Sequence, residues 1–300
     1  GIDPVLLLSS RNVEGDVGKD LKIDGQLQRA SLDDCFTAAA KRASEALRAL
    51  AESTQTIDGD IAQTMEKLRF EVYSLEKNTV LKSHTRTKFQ SVRLYILINA
   101  LGETNEKDLL NLAQTCVENG ADCLQLRAKG LDDRRLLSLA NQFTNICKAS
   151  NVISIINDRT DIALLSEADG VHLGQTEISV SSARRLAKRP LIVGVSTHNK
   201  QELQTAIETD CDYVGIGPAF ASLTKPSLTV AGIDYIQYAL NALQKSGIFQ
   251  VAIGGINKGN LSQLLNVGVQ TVAVSEAVTA AENPAQQCKT LKHILLTGQK

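Results

Sequence analysis

Polar and charged residues follow several of the short apolar runs between residues 94 and 275, and their types suit phosphate chemistry. The clearest case is the run that ends in Gln125-Leu-Arg127-Ala-Lys129. Alternate residues of a strand point to the same side, so Gln125 and Arg127 are predicted to share one side, with Lys129 just beyond the strand end. Two cations and an amide directed at one point would suit an anionic leaving group. For Lys129, a solvated basic loop is the alternative interpretation.

Two carboxylates follow the next two apolar runs. Asn157 and Asp158 end one run, and Glu177 comes shortly after the other. Neighbouring strands lie about 5 Å apart, so carboxylates just past their ends can share one cation. Carboxylates that act together with substrate phosphate oxygens are typical ligands of Mg²⁺. The alternatives are that Asp158 caps the helix beginning near Asp161 and that Glu177 is a surface residue.

Further phosphate contacts are predicted from the runs farther along the chain. Ser196 ends one run, where it can donate to a phosphate oxygen or lie in a turn before a helix. A long segment after the sixth run supplies Ser222, Thr224 and Lys225. The seventh run ends in two glycines. Backbone amides after strands seven and eight of a barrel often bind phosphate at a helix N-terminus, which makes Gly255 a candidate for a second phosphate site.

Two histidines, His172 and His198, are candidates for a general base. His172 falls inside a predicted strand and His198 in a turn, and neither has an obvious nucleophile or orienting carboxylate in the sequence. We therefore assign structural or peripheral roles to both. No Ser-His-Asp order or Cys-His pairing for nucleophilic catalysis stands out.

Eight strand-like runs and the helical segments between them predict the scaffold that positions these residues. The runs cover residues 94–99, 123–127, 152–157, 170–173, 191–196, 213–218, 250–256 and 271–275. Helices are predicted over residues 105–119, 132–150, 161–167, 179–188, 199–209, 233–244, 260–266 and 284–296. Strand followed by helix, eight times, predicts an α/β fold of the (β/α)8 or TIM barrel type, whose catalytic groups lie at the C-terminal ends of the strands.

A small α-helical domain is predicted to precede the barrel. The helical domain covers residues 1–90, and the barrel domain covers residues 91–300. Residues 1–30 are predicted to be irregular. Apolar residues recur with helical spacing through residues 32–54 and 58–83, and residues 84–92 are predicted to be a polar linker. The two helices cannot bury both apolar faces alone. They require the barrel, preceding sequence, or a second copy of the chain in a homo-oligomer.

Composition narrows the class of protein. The 32 basic and 33 acidic residues leave a net charge of −1, and aromatic residues are few, so no nucleic-acid partner is expected. No membrane association is expected either, since no apolar run approaches the roughly eighteen residues of a span, and residues 5–8 are too few for a signal peptide. The six cysteines include no Cys-x-x-Cys pair and are predicted to be buried thiols, which favours a cytoplasmic protein.

The ordered motifs of residues 94–298 resemble those of the thiamine-phosphate synthase (thiamine-phosphate pyrophosphorylase) family. The family's Gln-x-Arg-x-Lys is similar to residues 125–129. It is followed in order by Asn157-Asp158, Gly170-Val-His-Leu-Gly-Gln175, Gly194-Val-Ser-x-His198, Tyr213-Val-Gly-x-Gly-Pro218, Thr224-Lys225 and Ile253-Gly-Gly-Ile256. Each motif alone is short, whereas the full ordered set is specific. The N-terminal helices resemble an extra helical domain of some bacterial members.

The resemblance implies that two small molecules, hydroxymethylpyrimidine diphosphate and hydroxyethylthiazole phosphate, react to give thiamine phosphate and pyrophosphate. It implies Mg²⁺ as the cofactor, held by Asp158 and Glu177. The residues that it implies for catalysis stabilise the departing diphosphate, and they are Lys129, Arg127, Ser196 and Lys225. The same four are implied in substrate binding, together with Gln125 for the pyrimidine, Asn157 for the diphosphate, and Ser222, Thr224, Gly255 and Ser275 for the thiazole phosphate.

The sequence departs from the family pattern in four places. Ala128 replaces a commonly acidic or bulky residue, and Ala221-Ser222 stands where Pro-Thr is frequent. Glu177 stands where Asp is usual; it still suits a hard cation but reaches further. Ser275-Glu276 stands where Val-Ser is usual, so Glu276 would weaken phosphate binding nearby unless it turns away. Two other functions remain open: a thiazole tautomerase (TenI-like) barrel, which lacks the diphosphate and metal residues, and a non-catalytic barrel that senses a phosphate ligand and whose helical domain binds a partner.

Overall fold

The computed structural model describes residues 29–100, 105–221 and 229–298. The chain parts into two compact units between Val80 and Leu81. Two helices precede the first strand, α1 (Leu32–Thr54) and α2 (Gly59–Phe89). The helix α1 has the predicted bounds, whereas α2 continues beyond the predicted end at residue 83. No helix in these three ranges is long and apolar enough to span a membrane.

The helix α1 begins where the sequence offers an N-cap. The Ser31 side chain accepts a hydrogen bond from the Asp34 backbone N–H (3.1 Å), and Asp33 and Asp34 lie in the first turn, where negative charge offsets the helix dipole. Large apolar side chains of both helices are exposed, among them Leu50, Leu68, Phe70 and Leu75. Exposed apolar surface of this kind typically marks a binding face, and what covers it stays a prediction.

Eight parallel strands in the described ranges close into a barrel in sequence order, which confirms the predicted (β/α)8 fold. They are β1 (Leu94–Ala100), β2 (Cys123–Ala128), β3 (Ile153–Asn157), β4 (Gly170–Leu173), β5 (Ile192–Thr197), β6 (Tyr213–Ile216), β7 (Phe249–Ile253) and β8 (Val272–Val274). Leu94 pairs with Val272 and closes the barrel between β1 and β8. Because all strands run in parallel, their C-terminal ends share one mouth.

All the barrel helices except α10 begin and end within two residues of the predicted bounds. They are α3 (Glu106–Glu118), α4 (Asp133–Ala149), α5 (Thr160–Leu165), α6 (Val180–Leu186), α7 (Lys200–Ile207), α8 (Gly232–Leu243), α9 (Leu261–Asn266), α10 (Glu276–Thr279) and α11 (Pro284–Thr297). Asn105, Asp132 and Asn199 cap three of them by accepting from backbone N–H groups of the first turn. The four-residue α10 was not expected, because it is too short to show helical periodicity.

Alternation along the strands separates an outer apolar layer, which the helices cover, from an inner one. The inner layer includes Tyr95, Cys123 and Tyr213. Phe89, the last residue of α2, belongs to it as well. The Phe89 ring stacks on Tyr213, with centroids 4.5 Å apart and 12° between the planes, and it contacts Phe249. Since Tyr213 and Phe249 begin their strands, Phe89 lies at the N-terminal mouth.

The predicted linker over residues 84–92 is wrong for residues 84–89, which belong to α2. Polar side chains of this last part of the helix are anchored on the barrel: Thr85 Oγ1 donates to Asp212 Oδ1 (2.8 Å), and Lys88 Nζ donates to an oxygen of Asp169. These partners lie 127 and 81 positions away along the chain. No local sequence pattern could reveal them, so a polar helix end resembled a linker.

The six cysteines are free thiols. Five are buried, as predicted, and burial raises the pKa of Cys123 and Cys147 well above the usual range of a thiol. The prediction is wrong for Cys35, which is exposed near the start of α1. The buried thiols act as small apolar side chains of the packing.

Candidate active site

A cavity of about 450 Å³ opens among the C-terminal ends of the strands and the segments that follow them. A barrel places its catalytic groups at this mouth because loops there can vary without disturbing the packed interior. Six of the residues predicted from sequence line the cavity: Gln125, Arg127, Asn157, Ser196, Gly255 and Ser275. The exposed Glu276 also lines it. These residues lie on or just after five different strands, which explains why no continuous sequence motif contains them all.

Arg127 is held at the cavity wall by a short chain of hydrogen bonds. Its Nη1 donates to Asn99 Oδ1 (3.3 Å), and Asn99 Nδ2 donates to Ser275 Oγ (2.9 Å). The Ser275 hydroxyl donates in turn to the Leu97 carbonyl (3.0 Å). Because Ser275 already gives its hydrogen to the backbone, a phosphate contact by this hydroxyl would require breaking that bond. Asn99 was missed by the sequence analysis, although its place as the polar end of an apolar run was a usable signal.

Asp158, Glu177 and Lys129 are not among the residues that line the cavity, but Asp158 directly follows the lining residue Asn157 and is close to the other two. Lys129 Nζ is 3.8 Å from Asp158 Oδ2. Burial raises the pKa of Asp158, the charge of the neighbouring Glu177 raises it further, and Lys129 and Arg127 act in the opposite direction. Ionisation of Asp158 is therefore less favourable than that of a free aspartate, and a bound cation would offset both the cost of burial and the repulsion from Glu177.

Backbone geometry helps to bring these two carboxylates together. Asp158 has a φ of +65°, in the left-handed region, and its backbone N–H donates to the His172 carbonyl at the adjacent strand (2.8 Å). The Glu177 carboxylate lies over Gly174, where a Cβ would be 2.4 Å from Glu177 Oε2. Glycine at residue 174 thus makes room for the carboxylate to turn back toward the strand ends.

The carboxylate pair fits Mg²⁺ better than a metal that is held by protein ligands alone. Within residues 29–100, 105–221 and 229–298, no group of three or more His, Cys, Asp or Glu side chains is arranged to hold a metal ion. Mg²⁺ is typically held by one or two carboxylates together with water and substrate phosphate oxygens. The donor set of Asp158 and Glu177 is of this kind, and the site stays a prediction.

A buried chain of polar side chains crosses the barrel interior to reach Ser196. Ser196 Oγ lies 2.8 Å from His172 Nε2, and His172 Nδ1 lies 2.9 Å from Tyr213 Oη. Tyr213 Oη lies 2.9 Å from Tyr95 Oη, which accepts from Gln125 Nε2 (2.6 Å). In the sequence neither tyrosine stands out from the apolar residues around it, and His172 is predicted to have a structural or peripheral role. Polar residues at inward positions of apolar strands were the available signal.

His198 has a local partner. Its Nδ1 lies 2.8 Å from Glu202 Oε2, and the same oxygen accepts from the His198 backbone N–H (2.8 Å). The sequence analysis found no carboxylate for His198, and this was wrong, since Glu202 follows four residues later. The pairing fixes the start of α7 and agrees with a structural role.

The glycine pair after β7 adopts conformations that other residues rarely reach. Gly254 and Gly255 have φ values of +102° and +63°. A Cβ on Gly255 would lie 2.3 Å from the Ala221 carbonyl oxygen, so the turn packs directly against the segment after β6. Of that segment, the predicted site residues Ser222, Thr224 and Lys225 lie outside the described residues, and their roles stay predictions.

Comparison with known proteins connects this arrangement to a family. The model of the thiamine monophosphate synthase family matches residues 94–278, and the model of the ThiD2 family matches residues 3–78. A thiamine-phosphate synthase of Thermosynechococcus vestitus is 36% identical over 295 residues, covering 98% of this chain and 82% of that protein. A thiamine-phosphate synthase of Nostoc punctiforme is 34% identical over 278 residues, covering 93% and 77%.

A solved structure shows the same barrel. The thiamine phosphate pyrophosphorylase from Pyrococcus furiosus superposes with a TM-score of 0.62 at 27% sequence identity. The match covers 72% of this chain and 99% of that one.

Proposed function

The chain belongs to the thiamine monophosphate synthase family, and we propose that it joins hydroxymethylpyrimidine diphosphate to hydroxyethylthiazole phosphate, forming thiamine phosphate and releasing pyrophosphate. The observation that carries the proposal is the grouping of Arg127 and Lys129 with the Asp158–Glu177 pair at one mouth of the barrel. At this mouth the basic side chains, and a cation held by the carboxylates, would balance the charge of a departing diphosphate.

The reaction needs little covalent chemistry from the protein. The bond between the pyrimidine methylene carbon and the diphosphate oxygen breaks, and its electron pair leaves with the diphosphate. The lone pair of the thiazole ring nitrogen forms the new C–N bond, so the positive charge ends on the thiazolium ring. Because no protein nucleophile and no general base is required, the lack of a Ser-His-Asp order or Cys-His pairing is consistent with this function.

The residues around the cavity would act mainly on the leaving group. Negative charge grows on the diphosphate as the bond breaks, and Arg127 and Lys129 would stabilise it in the place where it develops. Asn157 and Ser196 line the same wall and would add hydrogen bonds. Gln125, which is 2% exposed, lies deeper and would contact the pyrimidine.

Asp158 and Glu177 would hold Mg²⁺, which when bound supplies positive charge to the diphosphate oxygens. Support comes from the raised pKa of Asp158, since burial and Glu177 both oppose its ionisation. A divalent cation would offset the charge repulsion between two close carboxylates beside a phosphate site. Lys225, known from the sequence alone, is proposed to contact the diphosphate from the segment after β6.

The thiazole phosphate is proposed to bind at the opposite wall of the cavity, near the turn after β7. Gly255 lies at this wall, and Ser222 and Thr224 belong to the adjoining segment. Ser275 would act here chiefly by holding Asn99 and thereby Arg127. A cytoplasmic location is also proposed, because free cysteines suit a reducing compartment.

Incubation of the full chain with both substrates tests the proposed function. We expect equal amounts of thiamine phosphate and pyrophosphate with Mg²⁺, and a rate at least about a hundredfold lower with EDTA, because unbalanced diphosphate charge raises the barrier. The assay measures both products by chromatography. Folded protein that makes neither product with Mg²⁺ would overturn the proposal, and isomerisation of a thiazole substrate instead would favour the tautomerase alternative.

A further inference from the structure

The five side chains that cross the barrel allow only limited hydrogen-bond directions. Burial raises the pKa of Tyr95 and Tyr213 well above the usual range of a phenol, so each is neutral and has one hydrogen to donate. Gln125 Nε2 donates to Tyr95 Oη. Continued in the same direction, the chain sends the Tyr95 hydrogen to Tyr213 Oη (2.9 Å) and the Tyr213 hydrogen to His172 Nδ1 (2.9 Å), which is one of the two directions that these distances allow.

The same order determines what Ser196 can offer to a ligand. With Nδ1 accepting, a neutral His172 carries its hydrogen on Nε2 and donates it to Ser196 Oγ. Ser196 then accepts from His172, and its own hydrogen is left for the cavity. If every hydrogen bond had the opposite direction, Ser196 would donate its hydrogen to His172. Its oxygen would then face the ligand with lone pairs only, and these would repel a bound anion.

We propose that Tyr95, Tyr213 and His172 are positioning residues, which link the amide of Gln125 to the hydroxyl of Ser196 and orient that hydroxyl as a donor to the departing diphosphate. The proposal rests on the proposed function, and it adds a connection between the pyrimidine end of the substrate and its diphosphate end. A donor group of the pyrimidine that binds Gln125 Oε1 would hold Nε2 toward Tyr95, and so would set the direction of the whole chain.

The surrounding packing holds the chain in one geometry. Phe89 stacks on Tyr213 from the N-terminal mouth. The Tyr213 ring also passes close to Gly194, where a Cβ would lie 2.0 Å from the Tyr213 Cζ. The residue at position 194 must be glycine for the Tyr213 hydroxyl to reach both Tyr95 and His172. The stacked Phe89 and the close approach to Gly194 therefore restrain the ring, while its hydroxyl stays within hydrogen-bond distance of Tyr95 and His172.

The Tyr213→Phe variant removes one link and keeps the stacked ring. We expect kcat to fall about tenfold, as for loss of a hydrogen bond to a charged group, while KM for the thiazole phosphate stays unchanged. In a Ser196→Ala background the same substitution should have no further effect, because the chain acts through Ser196. Tyr235→Phe is the matched control: it removes another buried hydroxyl, which donates to Thr197 Oγ1 (2.7 Å), and should leave kcat unchanged.

¹⁵N NMR of protein labelled with ¹⁵N-histidine shows which nitrogen of His172 carries the hydrogen, and therefore the direction of the hydrogen bonds. The measurement needs no turnover. The chain has 4 histidines, so the His172 signals can be assigned by comparison with His172→Gln. We expect the hydrogen on Nε2 in the wild type and a mixture of both tautomers in Tyr213→Phe, with inorganic pyrophosphate bound about tenfold more weakly by the variant.

Three results would overturn the proposal: a wild-type His172 with its hydrogen on Nδ1, an unchanged kcat in Tyr213→Phe, or additive effects of Tyr213→Phe and Ser196→Ala. If the wild type made no thiamine phosphate, the proposed function would fail. The histidine signals and pyrophosphate binding would then still decide whether the chain orients Ser196 toward an anion.

Discussion

Replacement of Asp158 with asparagine is expected to lower kcat on the order of a thousandfold, because the site loses the half-buried carboxylate that is proposed to hold the cation together with Glu177. Asparagine is preferred to alanine here. Residue 158 has a φ of +65°, and asparagine adopts the left-handed region more readily than other residues with a Cβ. Steady-state kinetics with both substrates at saturating Mg²⁺ measures the loss.

The unfolding temperature distinguishes a loss of catalysis in Asp158→Asn from a loss of folded protein. Burial and Glu177 raise the pKa of Asp158 in the folded chain. A carboxyl group of this kind stabilises the folded chain at pH values below its pKa in the unfolded chain. That contribution is lost as the pH rises through its pKa in the folded chain. At neutral pH without metal, Asp158→Asn should therefore unfold at the same temperature as the wild type or higher. Mg²⁺ with pyrophosphate should raise the unfolding temperature of the wild type only.

The exposed Asp108, in the first turn of α3, provides the matched control. Asp108→Asn makes the same chemical change on the barrel surface and should keep the wild-type kcat. A wild-type rate in Asp158→Asn would remove Asp158 from the proposed site. A variant that unfolds well below the wild type would show that the carboxylate contributes mainly to the fold.

Replacement of Arg127 with methionine is expected to lower kcat/KM for the pyrimidine diphosphate roughly a thousandfold. Methionine keeps most of the side-chain length and removes the charge that would face the leaving group. Arg127→Lys should have a kcat/KM roughly tenfold higher than that of Arg127→Met, because lysine keeps the charge without the planar pair of donors. The only described hydrogen bond of the Arg127 side chain is the 3.3 Å contact with Asn99, so little stability should be lost.

The two substrates distinguish a local effect from a general one. KM for the thiazole phosphate should stay within about threefold of the wild type, because its proposed site lies across the cavity. Arg134→Met, an exposed position on α4, should match the wild type in both kinetics and unfolding temperature. Equal losses for both substrates in Arg127→Met would place Arg127 in support of the fold rather than at the leaving group.

The barrel could be predicted from the sequence because its signals are local. Most strands are short apolar runs that end in polar or glycine residues, and most helices have their own periodicity and often their own cap, as at Asn105 and Asp132. Placement of Arg127 and Gln125 on one side followed from alternation along a single strand. The common mouth followed from the parallel order of the strands.

Features that depend on distant partners could not be predicted in this way. The last turns of α2 are polar, and only their bonds to Asp169 and Asp212 on the barrel show why the helix continues. Tyr95 and Tyr213 begin or nearly begin their strands, and each resembles an ordinary apolar core residue. Their shared hydrogen bond joins positions 118 residues apart, so its meaning emerges only once the barrel closes.

Anomalous diffraction from crystals grown with Mn²⁺ and inorganic pyrophosphate most directly tests the claim that a cation and a group of basic side chains hold a departing diphosphate. We expect one Mn²⁺ peak within about 2.2 Å of oxygens from both Asp158 and Glu177. The pyrophosphate should lie between this ion, Arg127 and the Ser196 hydroxyl. Mn²⁺ and pyrophosphate bound together elsewhere, such as at the N-terminal mouth near Phe89, would contradict the claim.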